Sequence, residues 1–156
     1  MNVNSQQKGK RGEFFVFGEL IKNGFDLYLP VIDVGVDAIV RLENGKYIEI
    51  QVKSTQAQDQ AGYFNVYDLR PHRNLFIVCV DMSDEKQKKW GQPEVWVLPA
   101  QKFFKHATVT QLKDCKRYLL SLPAKDKKHG NKRRDEILKQ YCANQNETVW
   151  ERLRKP

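Results

Sequence analysis

The sequence predicts an α/β or α+β domain, one layer of sheet flanked by helices. Three observations carry this. Apolar residues recur at helical spacing near the start, two amphipathic runs flank an Asn-Gly turn, and two short apolar runs bounded by turn residues follow. A chain of 156 residues fits a single domain, 1–156, and can bury a core of useful size.

The elements follow in order. A helix is expected from Ser5, with Ser5 as N-cap, Phe14, Phe17, Leu20 and Ile21 at helical spacing, and Gly24 as the stop. Gly9, Gly12 and Gly18 each weaken it by about 1 kcal/mol relative to Ala, so it needs tertiary support. "FDLYLPVID" reads as an extended approach broken by Pro30. "VDAIVRL" (36–42) and "KYIEIQV" (46–52) then flank "ENG", a hairpin signal. Phe64 to Tyr67 reads as a short strand and Asp68 to Arg73 as a turn of helix. "LFIVCVD" (75–81) and "PEVWVLP" (93–99) read as strands, with "SDEKQKKWGQ" a polar loop between them. "QKFFKHA" starts a helix, and "TVTQLKDCKRYLLSL" reads as helix, extended chain or both. "PAKDKKHGNKRRDE" is a basic loop and "RDEILKQYCANQ" a short helix. In "ETVWERLRK", Val149, Trp150 and Leu153 are placed to pack back on the body.

Composition narrows the function classes. No apolar run approaches the roughly 20 residues of a membrane helix, and the start lacks an apolar signal segment; a cytoplasmic protein with no membrane partner is expected. The three cysteines, Cys79, Cys115 and Cys142, stand at wide spacings without a CxxC, and no histidine joins them at zinc spacing. A disulfide framework and a structural zinc are therefore not expected. Charge is uneven: residues 1–100 carry 12 Lys/Arg against 13 Asp/Glu, and residues 101–156 carry 15 against 6. A basic segment joined to a neutral one is the electrostatic footprint of a nucleic-acid binder. Lys125, Lys127, Lys128, Lys132, Arg133 and Arg134 are the expected phosphate contacts, with Arg70 and Arg73 as further ones. The alternative for this tract is a solvated basic surface.

The candidate chemistry lies in the first half. Glu13 falls among phenylalanines expected to face the core, where a carboxylate is costly unless paired or bound to a metal. Asp37 opens a strand after Gly35. Gln51 and Lys53 share one face of "YIEIQVKST", together with Glu49. A carboxylate, a second oxygen two residues before a lysine, and a supporting Glu suit Mg2+-assisted phosphodiester hydrolysis, because hard oxygens bind Mg2+ and a lysine can act on the attacking water. Mn2+ would be the substitute. Glu49 and Asp33 are secondary candidates, Asp33 being equally a turn residue.

The turn decides whether these groups can meet. A two-residue Asn-Gly turn would put Asp37 opposite Val52, on the wrong face. A three-residue Glu43-Asn44-Gly45 turn puts it opposite Gln51, and opposite residues share a face. We expect the three-residue turn.

At "GKRGEFFVFGELIKNGF", "DVGVDAIV" and "YIEIQVKST", followed by "LFIVCVD" and "EVWVLP", the chain resembles the PD-(D/E)XK nuclease superfamily over about its first 100 residues. The resemblance implies a restriction-endonuclease-like αβββαβ core, a central mixed sheet flanked by helices, in residues 1–100. Residues 101–156 would then be a basic C-terminal helical extension. Asp37 matches the first acid, Lys53 the lysine, and Glu13 the helix-borne acid of several branches. Gln51 departs from the usual Asp or Glu and is similar to the Gln-x-Lys branch containing group I intron homing endonucleases; the layout is also similar to archaeal Holliday-junction resolvases. The resemblance implies a Mg2+-dependent endonuclease of double-stranded DNA, site-specific and homo-oligomeric (dimer or tetramer), with Asp37, Gln51, the Val52 carbonyl and Glu13 around the metal. A DNA-binding protein that has lost the chemistry and a junction resolvase are the alternatives.

Overall fold

The computed structural model describes residues 4–32, 35–56, 62–68, 70–122 and 132–156, without the side chains of Lys132 and Arg133. It is a mixed α+β structure whose central mixed sheet is flanked by helices. Helix α1 spans Ser5–Lys22. Its N-cap is Asn4, one residue before the expected Ser5. The Asn4 side chain accepts from the Gln7 backbone N–H at 2.8 Å, and the Gln7 side chain accepts from the Asn4 N–H at 2.9 Å. This reciprocal capping satisfies two backbone donors that a lone serine would serve less fully.

Strands β1 (Asp26–Tyr28), β2 (Ala38–Arg41) and β3 (Tyr47–Thr55) form an antiparallel meander. Strand β5 (Leu75–Asp81) then pairs parallel to β3, and β6 (Glu94–Pro99) closes the sheet in the order β1-β2-β3-β5-β6. The β2–β3 hairpin has the three-residue turn. The Leu42 N–H donates to the Lys46 carbonyl at 2.8 Å, and Gly45 sits at φ 77°, where only glycine is unstrained. Ile39 faces Glu49 and Ala38 faces Ile50, and the paired register ends there, one residue short of Asp37.

Between β3 and β5 the described residues hold the expected strand, here β4 (Gly62–Tyr67), and they hold no helical turn after Asp68. Strand β4 alternates buried Phe64 and Val66 with outward Tyr63 and Tyr67, a pattern of period two that a helix cannot satisfy. It joins β8 (Lys116–Leu122) and β7 (Thr108–Gln111) in a second sheet, β4-β8-β7. The C-terminal extension is thus helical only in part, with α3 (Ala100–His106), α4 (Lys132–Lys139) and a final 3-10 helix, Glu147–Arg154, beside these strands. The expected polar loop after β5 contains a helix, α2 (Asp84–Trp90).

Two cores lie on opposite faces of the main sheet. On one face, Val16, Phe17 and Leu20 of α1 pack with Val40, Ile48, Ile50, Val78 and Val97, and Val149, Trp150 and Leu153 close that core as expected. On the other, Ile77, Cys79, Trp96 and Leu98 pack against Phe64 and Leu120 of the second sheet and Phe103 of α3. The buried stripe of α1 corrects the expected one. Gly12, Val16, Phe17 and Leu20 face inward, while Phe14 and Ile21 are exposed. Gly12 explains the phase: a Cβ there would collide with Ser54 at the end of β3, so the helix meets the sheet at its smallest residue.

A buried polar cluster ends β5 and β6. Asp81 is fully buried, and burial pushes its carboxyl above the ordinary 3.8, against the N–H of Ser83 and the charge of Lys86. An acid with a raised folded pKa contributes stability that is full below its unfolded value and is lost as pH rises through the folded one. Asp81→Asn is therefore expected to gain stability over wild type progressively from pH 3.8 towards neutrality. Urea melts across that range measure it, and an advantage that shrinks with pH would contradict the sign.

Candidate functional site

The register brings Asp37 and β3 together. The Asp37 N–H donates to the Ile50 carbonyl at 2.9 Å, and its carboxylate Oδ2 accepts from the Val52 N–H at 2.7 Å. The carboxylate is therefore anchored at the edge of β3, one residue from Gln51 and one from Lys53. In a strand the N–H and C=O of one residue point to the same edge. The Val52 carbonyl accordingly faces the Asp37 side, as its proposed ligand role needs.

Gln51 is buried on the sheet face that also holds Ile77, its partner on β5. Its amide oxygen Oε1 is enclosed and has no hydrogen-bond partner among the described residues. An unsatisfied buried acceptor costs on the order of 1–3 kcal/mol, and a cation placed there would remove the penalty. This is the observation on which Mg2+ fits: an orphaned amide oxygen, an anchored carboxylate and a main-chain oxygen, all hard donors. Among the described residues no three His, Cys, Asp or Glu side chains cluster. A metal here would depend on Asp37, Gln51 and the chain itself.

Lys53 lies two residues further on the same face. Among the described residues it has no carboxylate partner, and its charge is felt by Cys79 opposite it on β5. Glu13 is less clearly placed. Its carboxylate is mostly covered and takes the ammonium of Lys10 at 2.6 Å, the structural role that a helix-surface acid commonly has. Gly12 against Ser54 nevertheless brings its stretch of α1 to the end of the same strand. Glu49 turns to the His72 ring at 3.1 Å, and Asp33 lies outside the described residues. The pairing of Glu49 with His72, 23 residues further along the chain, could not be drawn from strand alternation.

The basic residues divide. Lys125, Lys127 and Lys128 lie outside the described residues, and Lys132 and Arg133 open α4. Arg134 is half-buried beside Asp135 at 3.6 Å. Arg70 and Arg73 are exposed. Sequence reasoning missed Lys8 and Arg11, which line a recess of about 260 Å³ with Ser54 and Thr55 at the far end of β3. Their helical spacing of three was the available signal. No described helix is long and apolar enough to cross a membrane.

The sequence matches no protein-family model and no curated relative. Among solved structures, the chain is similar to a bacterial homing endonuclease, I-Ssp6803I, with 20% sequence identity, a TM-score of 0.54, and 90% of this chain and 95% of that chain covered. At that identity the likeness is one of fold.

Proposed function

We propose that this chain is a Mg2+-dependent endonuclease of double-stranded DNA, site-specific and working as a homo-oligomer. The observation that carries it is the Asp37 carboxylate held against β3 by the Val52 N–H, between Gln51, whose buried oxygen has no hydrogen-bond partner among the described residues, and Lys53. The similarity in fold to a homing endonuclease supports the reading. Asp37, Gln51 and the Val52 carbonyl would hold the metal, with Glu13 supporting it directly or through water. Bound there, Mg2+ would polarise the phosphate and lower the pKa of its water, and Mn2+ would serve as a substitute. Lys53 would orient or deprotonate the attacking water and offset charge developing on the phosphate. Asp37 would keep its geometry through its main-chain anchor. A domain of this size spans few base pairs, so a symmetric oligomer would read and cut both strands. Exposed Phe14, Leu29, Val31 and Ile32 offer apolar surface for that contact.

A second reading, a DNA-binding protein without chemistry, is favoured by Gln51 in place of an acid and by Glu13 engaged with Lys10. Incubation with supercoiled plasmid and with a four-way junction, in Mg2+ or EDTA, separates the readings. Metal-dependent nicking or linearisation of the plasmid is expected. Salt-sensitive binding without cutting on any substrate would favour the second reading, and cutting confined to the junction would make the protein a resolvase.

A further inference from the structure

Beyond the metal centre, the main sheet ends in a basic cleft of about 590 Å³ between the loop into β5, α3 and the C-terminal 3-10 helix. Phe76 and Pro99, paired across β5 and β6, contribute its apolar wall, and Arg73, Lys102, Arg152 and Lys155 its charge. Among the described lining residues the one acidic side chain, Glu151, is already taken by Arg154 at 3.1 Å. Arg152 is braced, with its guanidinium over Tyr141 and bonded to Gln140 at 3.0 Å. Arg73, Lys102 and Lys155 have no acidic partner among the described residues. Three unneutralised cations around one braced arginine form a site for anions, and several together suit a repeating polyanion rather than one phosphate.

The position of the cleft narrows the occupant. Gln51 pairs with Ile77, and Arg73 lies four residues before Ile77 on the path into β5. Phe76, one residue before Ile77, already lines the cleft, so the cleft opens at the start of the strand that pairs with Gln51. Lys8 and Arg11 stand at the opposite end of β3, so cations flank the centre along the strand direction on both sides.

We infer that this cleft binds the phosphate backbone of duplex DNA outside the reacting centre. The inference rests on the nuclease reading and extends it with residues outside the reacting centre. Binding uses groups that carry no sequence information, so its effect is on affinity, salt dependence and register.

The test measures binding of the full chain to a fluorescein-labelled 30-base-pair duplex in EDTA across a series of NaCl concentrations. The variants are Lys155→Ala alone and Arg73→Ala/Lys102→Ala/Lys155→Ala. Each lost phosphate contact is expected to make the slope of log K against log salt shallower by about 0.9, so the triple variant should lose between two and three. Lys155 is fully at the surface, which keeps the single variant informative if the triple one folds poorly. Unchanged slope and affinity in both variants, with wild-type binding intact, would overturn the cleft and point to an acidic protein partner instead. A wild type that neither binds the duplex in a salt-dependent way nor cuts plasmid would overturn the nuclease reading together with it.

Discussion

Lys53→Ala is expected to slow metal-dependent cutting by about 10²- to 10⁴-fold while duplex binding stays within a few fold. The expectation follows from its surroundings. Lys53 stands on the same face as Gln51, at the strand edge anchored by Asp37, with no carboxylate among the described residues to consume its charge. A group that acts on the water or the developing charge contributes mainly to the chemical step. Asp37→Asn is the companion variant. Its amide oxygen can still accept from the Val52 N–H, so the fold should survive, while the loss of negative charge should abolish metal-dependent cutting. Plasmid cleavage and filter binding on the same preparations distinguish the roles. If Lys53→Ala lowers binding as much as cutting, Lys53 is a phosphate contact and not part of the reaction.

Lys86→Met is expected to be the most damaging single change to stability, costing about 3–5 kcal/mol. Lys86 of α2 and Glu94 of β6 pair at 2.8 Å with side chains only 5% and 2% exposed. Glu94 also accepts from the indole N–H groups of Trp90 at 3.1 Å and Trp96 at 3.4 Å. Removing the lysine leaves a buried carboxylate without its counter-charge, beside Asp81. Adding Glu94→Gln should restore most of the loss, because a neutral amide oxygen still accepts from the indoles without the cost of an unpaired charge. Urea unfolding of the two variants measures this. A Lys86→Met midpoint near that of wild type would show that the pair is dispensable. The pair also matters to the site, since β5 here adjoins the end of β3, with the Met82 N–H donating to the Thr55 carbonyl at 2.9 Å.

The features legible from sequence are local ones. Glu43-Asn44-Gly45 set the hairpin register because Gly45 alone can adopt the left-handed turn conformation at no cost, and that register brings Asp37 alongside Ile50 and Val52 of β3. The same logic of alternation assigned Ile48, Ile50 and Val52 to a core and Gln51 and Lys53 to the opposite face. Helical periodicity, by contrast, specifies a spacing and leaves the phase open. Phe14 and Ile21 had the right spacing and ended exposed, because Gly12 meeting Ser54 governs which stripe faces the sheet.

Residues 116–122 read equally as helix or strand; pairing with β4 made them a strand, and that pairing covers the half of the sheet face carrying Ile77 and Cys79. The composition of "SDEKQKKWGQ" announced a solvated loop, yet Lys86 is buried because Glu94, eight residues away, supplies a counter-charge. The basic cleft is likewise assembled from Arg73, Lys102 and the last turn of the chain, whose separation in sequence conceals their proximity. Strand alternation and turn chemistry are set by neighbouring residues, so they can be followed along the chain. Helix phase, sheet partner and buried ion pair depend on which distant surfaces meet, and only the folded structure brings those surfaces together.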